Sequence, residues 1–565
     1  MIRRALAAMA WLLAVAPAQD VHVVHTDADG AAQVRLDAYV AGGCAPGVGL
    51  GWVRLDVENV DAAPHAVEVE VVSRRFMDAD TQTRRSLVLE PRTSVRLFLP
   101  LAVPPDNVSI DLSIDGASYS QVAGFHRGVG HTVLVVADRS DSAANRFVVL
   151  EALPSETPGE TPQHYDVDSQ GLPADWRLFT SFSAVLVDGR AAVSADVQEA
   201  LRRYVHAGGR VVLATPSLLP AGPLRDAAPE LFRVRELGMG QLASVGPLGG
   251  DSTQVRQALA GLRPLGLGGW PASPDLFVEQ EVPGVGRPPI TAFVLIILLF
   301  AIFAGPVNFR WLKRRKQPLL ALVTVPVLGF GTTLMILGYG VFHDGFGVRG
   351  VHHSWTVLDQ VAHEGATVSA RTLFAGLSPK DLSMDGDALV LSGRAGSDSR
   401  RFSDRWRWDG DTARLDGGVL PSRTLTPLVS SQQKPVRARL TIRESGDALE
   451  VLGDSGIQPV DVIVLRDLQG DYWVGDGARL ERVSAETGRR RLREVRRRAH
   501  ELTPADDRYA VAAVVAPLLP DWGAPGSYAT MVDQAPWISE HGLDVDYDEQ
   551  RHWVFGRLAA EDFVR

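Results

Sequence analysis

The chain has 565 residues, of which 45% are apolar and 22% are charged, and its formal net charge is −10. This length exceeds what one hydrophobic core fills and predicts about three or four domains, while the acidic balance excludes a chain-wide basic surface for nucleic acid. The single cysteine, Cys44, excludes an internal disulfide framework and a cysteine-rich zinc site. We therefore expect a multidomain α+β protein that is stabilised by packing and has no cofactor.

Residues 1–18 carry the pattern of a secretory signal peptide. Arg3 and Arg4 precede an apolar run, and the small residues Ala16-Pro17-Ala18 form a signal-peptidase site. We expect the mature chain to start near Gln19. An uncleaved membrane anchor is the alternative, although the apolar run is short for a spanning helix. Both interpretations place the next domain outside the cytoplasm.

Residues 19–128 alternate apolar with polar residues, as β-strands do. The stretches "VRLDAYV", "GWVRLDVENV" and "HAVEVEVVSRRF" lie between turns that contain Pro, Gly and Asp. The pattern predicts an antiparallel β-sandwich in which each sheet buries one face. The stretches "TDADG" and "SIDG" resemble parts of calcium loops, but they lack the later bidentate acid and are predicted to be turns.

Residues 129–286 alternate strand and helix. The apolar runs "TVLVVAD", "SAVLVDG" and "RVVLA" have the composition of parallel strands that are covered on both faces. Between the last two runs, Ser194 can cap a helix that ends at Gly208-Gly209. The order predicts a doubly wound α/β domain whose loops gather at the carboxyl ends of its strands.

The loop after the first of these strands contains Asp138, Ser140 and Ser142, and Asp188 ends the second strand. The spacing resembles the metal-binding loop of von Willebrand factor A domains, and Asp188-Gly189 resembles a later element of that family. However, only fifty residues separate the two elements, and Val187 replaces the expected Thr. A turn capped by Asp141 or Ser142, or an anion at the helix N-terminus, explains the loop without a metal. We therefore predict no metal site, and ligand binding, if there is any, by Asp138, Ser140, Ser142 and Asp188.

The stretch "YVHAGGRVVL" followed by "ATPSLL" more closely resembles the class I glutamine amidotransferase-like fold. The resemblance implies a cysteine nucleophile in the sharp turn after the strand, where this chain has Thr215, Pro216 and Ser217. No cysteine follows Cys44, so the thiol that such acyl transfer needs is missing. We predict a non-catalytic domain, with a hydrolase that uses Ser217 or a bound metal as the alternative.

Two uncharged apolar stretches, residues 290–309 and 318–342, are long enough to cross a bilayer as helices. We predict a transmembrane helical hairpin over residues 290–342. Its short connection is strongly basic and is therefore expected on the cytoplasmic side. Neither stretch contains an ionisable residue, which favours an anchor over a transport path. The residues that determine this topology are Arg310, Lys313, Arg314, Arg315 and Lys316.

Residues 345–565 return to strand patterning and predict one or two further β-rich domains. Trp406 and Trp408 share a strand face, where they can either pack within the sheet or stack on a sugar. A basic helix is predicted near residues 487–502, and it either touches anionic lipid or pairs with acidic neighbours. Asp544, Asp546 and Asp548 have the spacing of calcium ligands but lack the turn glycine and the final glutamate of that loop.

The whole arrangement resembles bacterial envelope proteins with an exported β domain, an amidotransferase-like domain, a two-helix membrane hairpin with "GPVNF" before a basic loop, and a C-terminal β domain. The basic connection and the signal-peptide pattern place both large soluble portions outside the cytoplasm. With the resemblance to bacterial envelope proteins, we expect location in the cytoplasmic membrane with both portions on the periplasmic side. The resemblance also implies assembly with other envelope proteins, among them membrane proteins of von Willebrand A type. The acidic net charge argues against a nucleic-acid partner. We expect a non-enzymatic, membrane-anchored interaction or scaffold protein, with a hydrolase and a transporter subunit as alternatives.

Overall fold

The structure, a computed structural model, describes most of the chain in separate segments. The predicted signal peptide and Cys44 lie outside the described residues. The described segments are residues 21–26, 31–42, 49–74, 81–103, 107–124, 132–138, 149–153, 163–247, 252–262, 280–285, 290–392, 404–409, 412–416, 420–452, 456–500 and 524–564.

The N-terminal region folds as two packed antiparallel layers. One sheet has the order β1-β2-β3-β6, and the other contains β5-β4-β7-β8. Alternate apolar residues of both layers, such as Val34, Leu55, Val69 and Ile110, are buried between them. The predicted sandwich is therefore present. Its strands are β1 (Val21–Thr26), β2 (Ala32–Ala41), β3 (Gly49–Asn59), β4 (His65–Arg74), β5 (Thr81–Leu89), β6 (Ser94–Val103), β7 (Asn107–Ile114) and β8 (Ala117–Gly124).

The next region is built on a sheet with the order β10-β9-β11-β12-β14-β13, in which only β13 is antiparallel to its neighbour. Its strands and helices are β9 (Thr132–Val136), β10 (Gln163–Val167), β11 (Ala184–Asp188), α1 (Ala195–His206), β12 (Arg210–Ala214), α2 (Pro223–Ala227), β13 (Arg233–Leu237), β14 (Gly240–Val245) and α3 (Ser252–Leu259).

Both faces of this parallel sheet are covered, as the apolar runs predicted. Val185 and Val187 point to the face that carries α1, whereas Ala184 and Leu186 point to the face that carries α3. The Ser194 hydroxyl accepts a hydrogen bond from the Val197 amide and caps α1. Alternation along each strand thus fills two separate apolar layers.

Two apolar helices follow, and they are long and apolar enough to cross a membrane. The first runs through α4 (Ile290–Ile302), a π-helical turn at Phe303–Val307, and α5 (Asn308–Arg314); the second is α6 (Ala321–Asp344). Pro306 lies in the π turn, where it disrupts the regular hydrogen-bond ladder. The first helix extends further than the sequence predicts, so Arg310, Lys313 and Arg314 lie on its last turns, and Arg315 and Lys316 lie in the connection.

Beyond the hairpin, most strands form one large sheet, here called the C-terminal sheet. Its order is β18-β21-β16-β15-β28-β27-β24-β25-β26-β23-β22-β29. The region comprises β15 (Val348–Asp359), β16 (Glu364–Ala375), β17 (Asp381–Met384), β18 (Ala388–Ser392), β19 (Asp404–Asp409), β20 (Thr412–Asp416), β21 (Leu425–Pro435), β22 (Thr441–Ser445), β23 (Ala448–Leu452), β24 (Ile463–Arg466), β25 (Tyr472–Gly475), β26 (Arg479–Val483), α7 (Ala485–His500), β27 (Ser527–Val532), β28 (Val545–Arg557) and β29 (Phe563–Val564).

Three strands from beyond the hairpin join the N-terminal sandwich instead. Strand β19 pairs in parallel with β5, and the resulting sheet, here called the joint sheet, has the order β17-β20-β19-β5-β4-β7-β8. Division of the sequence at residues 128 and 345 does not anticipate this pairing. The physical reason is that β5 has a free edge once the N-terminal strands are paired, and a later segment of the chain completes it.

One continuous apolar cluster joins all the regions outside the hairpin. It includes Trp52 of the sandwich, Phe179 and Tyr204 of the α/β region, and Trp406 and Trp408 of β19. Both tryptophans of β19 are 5% exposed, and the Arg177 guanidinium lies 4.2 Å from the ring centroid of Trp408. Packing, rather than a sugar-stacking surface, accounts for this pair.

Candidate functional site

The carboxyl edge of the parallel sheet contains the site that the topology favours. Strand β9 lies between β10 and β11. The chain passes from β9 to β10 on one side, crosses back to β11 on the other side, and then continues away from β9 to β12. Ligands of open α/β sheets bind in the crevice that such a reversal creates. Asp138 follows β9, and Asp188 ends β11, so the structure brings these two predicted residues to the same crevice.

The Asp138 carboxylate ties together the loops that line this crevice. It accepts hydrogen bonds from the Ser169 amide at 2.6 Å, the Ser169 hydroxyl at 2.9 Å and the Ala192 amide at 2.7 Å. Burial alone would raise the pKa of Asp138, but these three donors outweigh it and hold the pKa below its usual range. Asp138 is therefore ionised and has a structural role, because its hydrogen bonds connect the segments that follow β10 and β11.

Asp188 is 6% exposed and accepts a hydrogen bond from the Arg190 amide at 3.1 Å. The next residue, Gly189, donates its amide to the Ala214 carbonyl at 2.7 Å. A Cβ atom at Gly189 would lie 2.1 Å from the Thr215 carbonyl oxygen, so only glycine fits at this approach. The "Asp-Gly" pair that resembles a metal-binding element is thus explained by close packing of two strand ends.

The sharp turn after β12 is centred on Thr215, which adopts φ 52° and ψ 60°. Left-handed backbone is unfavourable for a β-branched residue and is a known feature of functional turns. Ser217 lies two residues later, on an exposed 3-10 turn at Pro216–Leu218. In the described part of the chain, neither hydroxyl is hydrogen-bonded to a histidine or a carboxylate, so neither has the activating base that a nucleophile needs.

Replacement of Thr215 by Gly should stabilise the protein by about 1 kcal/mol, because glycine adopts this left-handed conformation without steric cost. Thr215→Ala keeps the Cβ atom and should give no such gain. Thermal unfolding of the purified full-length chain measures both changes. Equal effects of the two substitutions would show that the turn is not strained.

Two predicted site residues, Ser140 and Ser142, lie outside the described residues, as does Asp141. Among the residues that are described, no group of three or more His, Cys, Asp or Glu side chains is placed to hold a metal ion. Asp546 and Asp548 lie on the extended strand β28 rather than in a loop, and Asp548 forms an ion pair with Arg349. Extended backbone cannot wrap these carboxylates around one calcium ion.

A second polar cluster, which the sequence analysis missed, is buried in the C-terminal sheet. His352 and Ser354 on β15 face Arg371 on β16 and His552 on β28, and all four residues are at most 3% exposed. The imidazoles of His352 and His552 meet edge to face, with ring centroids 4.8 Å apart. A loop that contains His541 covers them. We call His352, His541, His552 and Arg371 the histidine cluster, and we include His353, the next residue of β15, whose side chain points to the opposite face of the same sheet.

The hydrogen bonds of the histidine cluster are only partly satisfied. His552 donates Nε2–H to Gln550 at 3.1 Å and accepts at Nδ1 from the Ser354 hydroxyl at 2.7 Å, which fits a neutral ring. Arg371 donates to the Ser539 carbonyl at 2.9 Å and lies 3.5 Å from the Glu540 carboxylate. Within the described residues, His352 Nε2 and both ring nitrogens of His541 have no hydrogen-bond partner.

Burial is the main cause that lowers the pKa of each histidine in this cluster. It brings the pKa of His353 to about 3 and that of His552 to about 4, and it holds His352 and His541 well below the usual value. The positive charge of Arg371 adds to the effect for His352, His541 and His552. The signal in the sequence was the "VHHS" run inside a strand, together with later histidines in "SEHG" and "QRHW".

The predicted basic helix is present as α7 and docks by its apolar seam. Gly488, Val495 and Ala499 are buried, and the Ala499 carbonyl accepts a hydrogen bond from the Trp355 indole at 2.7 Å. Arg498 pairs with Asp461 across a cleft of about 490 Å³ between α7 and neighbouring strands. The exposed residues Arg489, Arg490 and Arg493 form no ion pair with the described part of the chain.

Comparisons with known proteins do not establish a family. No family model matches the chain, and no curated protein matches it. Solved structures that resemble parts of it include a Paenibacillus cycloisomaltooligosaccharide glucanotransferase (11% identity, 27% of each chain, TM-score 0.12) and a Legionella pneumophila aminopeptidase A (11% identity, 21% of this chain and 15% of that chain, TM-score 0.11). A Bacteroides uniformis beta-glucuronidase 2 aligns at 8% identity over 81% of this chain and 61% of its own, with a TM-score of 0.15. The chain thus spans less than two thirds of each of these proteins, and the TM-scores carry no inference about fold or activity.

Proposed function

We propose that this protein is a non-enzymatic scaffold, anchored in the bacterial cytoplasmic membrane, whose periplasmic domains bind another envelope component. The observation that carries the proposal is the shared apolar cluster, through which residues before and after the hairpin pack into one body. A pair of exposed apolar helices tethers that body. Such an arrangement holds binding surfaces at a set position on a membrane.

The joint sheet also supports a common compartment for both soluble portions. Strand β19, from beyond the hairpin, pairs with β5, from before it. The two segments must therefore lie on the same side of the bilayer, which requires an even number of crossings between them. Two spanning helices meet that requirement, and the basic residues Arg310 to Lys316 favour a cytoplasmic connection.

The contacts at the carboxyl edge of the parallel sheet favour a structural role over catalysis. Asp138 is engaged by three donors, and Thr215 occupies the turn in which the amidotransferase-like resemblance expects a thiol. The proposed amidotransferase-like domain would then serve as a binding module. The best test is isolation of the full-length protein in mild detergent, followed by identification of the proteins that accompany it.

Topology can be tested with single cysteines in a Cys44→Ser background. Ser86→Cys and Ser445→Cys, both at exposed positions on opposite sides of the hairpin in sequence, should react with a membrane-impermeant maleimide in intact spheroplasts. Gln317→Cys, in the basic connection, should react only after permeabilisation. Labelling of Gln317→Cys in intact spheroplasts, with Ser445→Cys protected, would reject the proposed orientation.

The alternative functions predict different outcomes. A hydrolase that uses the crevice should lose activity with Ser217→Ala or Asp188→Asn, and a metal enzyme should lose its ion with Asp138→Asn, which keeps one carbonyl acceptor for the Ser169 and Ala192 donors. A transporter subunit should fail when an unrelated two-helix anchor replaces residues 290–342. Under the scaffold proposal, that exchange preserves partner binding.

A further inference from the structure

Strand β8 forms one edge of the joint sheet and lacks the usual protection of an edge strand. Its sequence "ASYSQVAG" contains no charged residue and no proline, and Val122 is 63% exposed. Edge strands with these properties readily pair with another strand, because their outer N–H and C=O groups have no partner. No backbone hydrogen bond from the described residues reaches the outer side of β8.

The turn before β8 determines which residues present their backbone outward. Asp115 and Gly116 have φ values of 49° and 88°, as a two-residue type I′ hairpin turn requires. Ile114 and Ala117 therefore form a hydrogen-bonded pair, and such pairs recur at every second residue. Ser118, Ser120 and Val122 belong to the other set, so their N–H and C=O groups point away from β7 toward the free edge.

The other described edges have features that discourage pairing. Strand β13 carries two arginines and a glutamate, β6 contains Arg96 and Pro100, and β1 has an irregular register at its end. Strands β17 and β29 are short, β10 carries Asp166, and β18 is largely buried. Strand β8 is thus the described edge that combines length, exposure and absence of charge.

The same sheet already accepts a strand by edge pairing. Its β5 side is completed by β19, which comes from a segment more than 300 residues later in the chain. The carbonyl of Trp408 accepts a further hydrogen bond from Arg85 of β5 at 3.1 Å. A strand of another molecule that is added at the opposite edge, β8, would form the same kind of backbone hydrogen bonds, although it belongs to a separate chain.

We propose that two copies of this chain pair through their β8 strands in antiparallel orientation, about a two-fold axis at Ser120. In this register Ser118 faces Val122 of the second copy, and Ser120 faces its own counterpart. The outward-pointing backbone groups of Ser118, Ser120 and Val122 are all used, with about six hydrogen bonds between the copies. The side chains on both faces are uncharged, so no like charges oppose one another across the two-fold axis.

A second copy fits this edge better than a charged peptide does, because the facing residues are small or uncharged and complement themselves. An eight-residue edge buries less than the roughly 800 Å² per partner of a standard interface, so pairing should be weak in dilute solution. Confinement in a bilayer raises the effective concentration of the two edges. The dimer should therefore be more populated in vesicles than in detergent at the same total protein amount.

Cross-linking tests the geometry directly in the full-length chain. In the Cys44→Ser background, Ser120→Cys in reconstituted vesicles should give a covalent dimer with a short thiol-to-thiol linker. Ser86→Cys, which is exposed on the neighbouring part of the same sheet but on the interior strand β5, is the matched control and should stay monomeric. Equal dimer yields at the two positions, or none at Ser120→Cys, would reject the pairing.

Charge reversal tests the register. Ser118→Lys with Val122→Lys should abolish cross-linking through Ser120→Cys, because like charges then face each other, and Ser118→Glu with Val122→Glu should do the same. A mixture of the two variants should restore the covalent dimer, since each Lys then faces a Glu. A mixture that stays monomeric contradicts the proposal, as does a wild-type chain that is monomeric in vesicles while its β8 captures a different protein.

Discussion

Acidification should steeply destabilise the C-terminal sheet, which contains the histidine cluster, between pH 6.5 and pH 4. The histidines of the cluster are buried as neutral rings, with the pKa of His552 lowered to about 4 and that of His353 to about 3. In the unfolded chain each ring binds a proton near pH 6.5. Because the unfolded state then holds more protons than the folded state, stability falls as the pH falls through this window and is fully present above pH 6.5.

The expected size of the effect is large. At His552 alone, a pKa lowered from 6.5 to about 4 corresponds to roughly 3 kcal/mol of stability lost across the window. Arg371 and Arg551 lie close enough to oppose protonation of the cluster, and Glu540 offsets only part of the charge of Arg371. Native proteins have a total free energy of unfolding of only about 5–15 kcal/mol, so the loss at one such group is already a large fraction of it.

Unfolding free energies measured from pH 7 to pH 5 in the detergent-solubilised chain test this prediction. His552→Gln should reduce the loss of stability over that interval by about 2 kcal/mol, since one buried titrating group is removed. Thr367→Val, which removes a buried polar group of β16 that does not titrate in this range, is the matched control and should change stability equally at both pH values. Identical pH slopes for wild type and His552→Gln would show that this ring does not resist protonation.

The patterns that sequence analysis reads well are local. Alternation of apolar and polar residues predicts the strands of the sandwich, and the uncharged runs predict the two membrane-length helices, because both signals depend on neighbouring residues. The cap at Ser194 is equally local, and the structure contains it. Local patterns do not predict which strands pair. No feature of the β19 sequence assigns it to β5, because this pairing depends on the edge of β5 that the other N-terminal strands leave free.

The candidate sites show the same division. The sequence places Asp138 and Asp188 at strand ends, and the parallel topology brings them to one crevice. The donors that engage Asp138 come from residues 169 and 192, which no spacing rule selects. The histidine cluster draws on three strands and a loop, so its members are far apart in sequence and read individually as ordinary polar residues.

Replacement of Arg177 by Met should lower the free energy of unfolding by about 3–5 kcal/mol. It breaks a buried ion pair at the contact between the α/β region and strands from beyond the hairpin. The Arg177 side chain is 1% exposed, and its Nε and Nη2 donate to the Asp175 carboxylate at 2.9 Å and 2.7 Å. Its Nη1 donates to the Asp385 carbonyl at 3.3 Å, and the guanidinium stacks on Trp408. The substitution removes the contacts to the C-terminal segments and leaves the Asp175 carboxylate without its cationic partner, with only the backbone amide of residue 177 as a donor.

The matched control is Arg498→Met, which removes an ion pair with Asp461 whose N–O distance is 2.6 Å and whose two side chains are each 41% exposed. Water and salt screen that exposed pair, so its loss should change stability by less than about 1 kcal/mol. Asp175→Asn combined with Arg177→Met should recover part of the loss, because no unpaired charge then remains. Chemical unfolding of the four proteins, with limited proteolysis of residues 404–416 as a local readout, separates these effects. A similarly small change in the free energy of unfolding for Arg177→Met and Arg498→Met would mean that apolar packing alone holds the α/β region against the C-terminal segments.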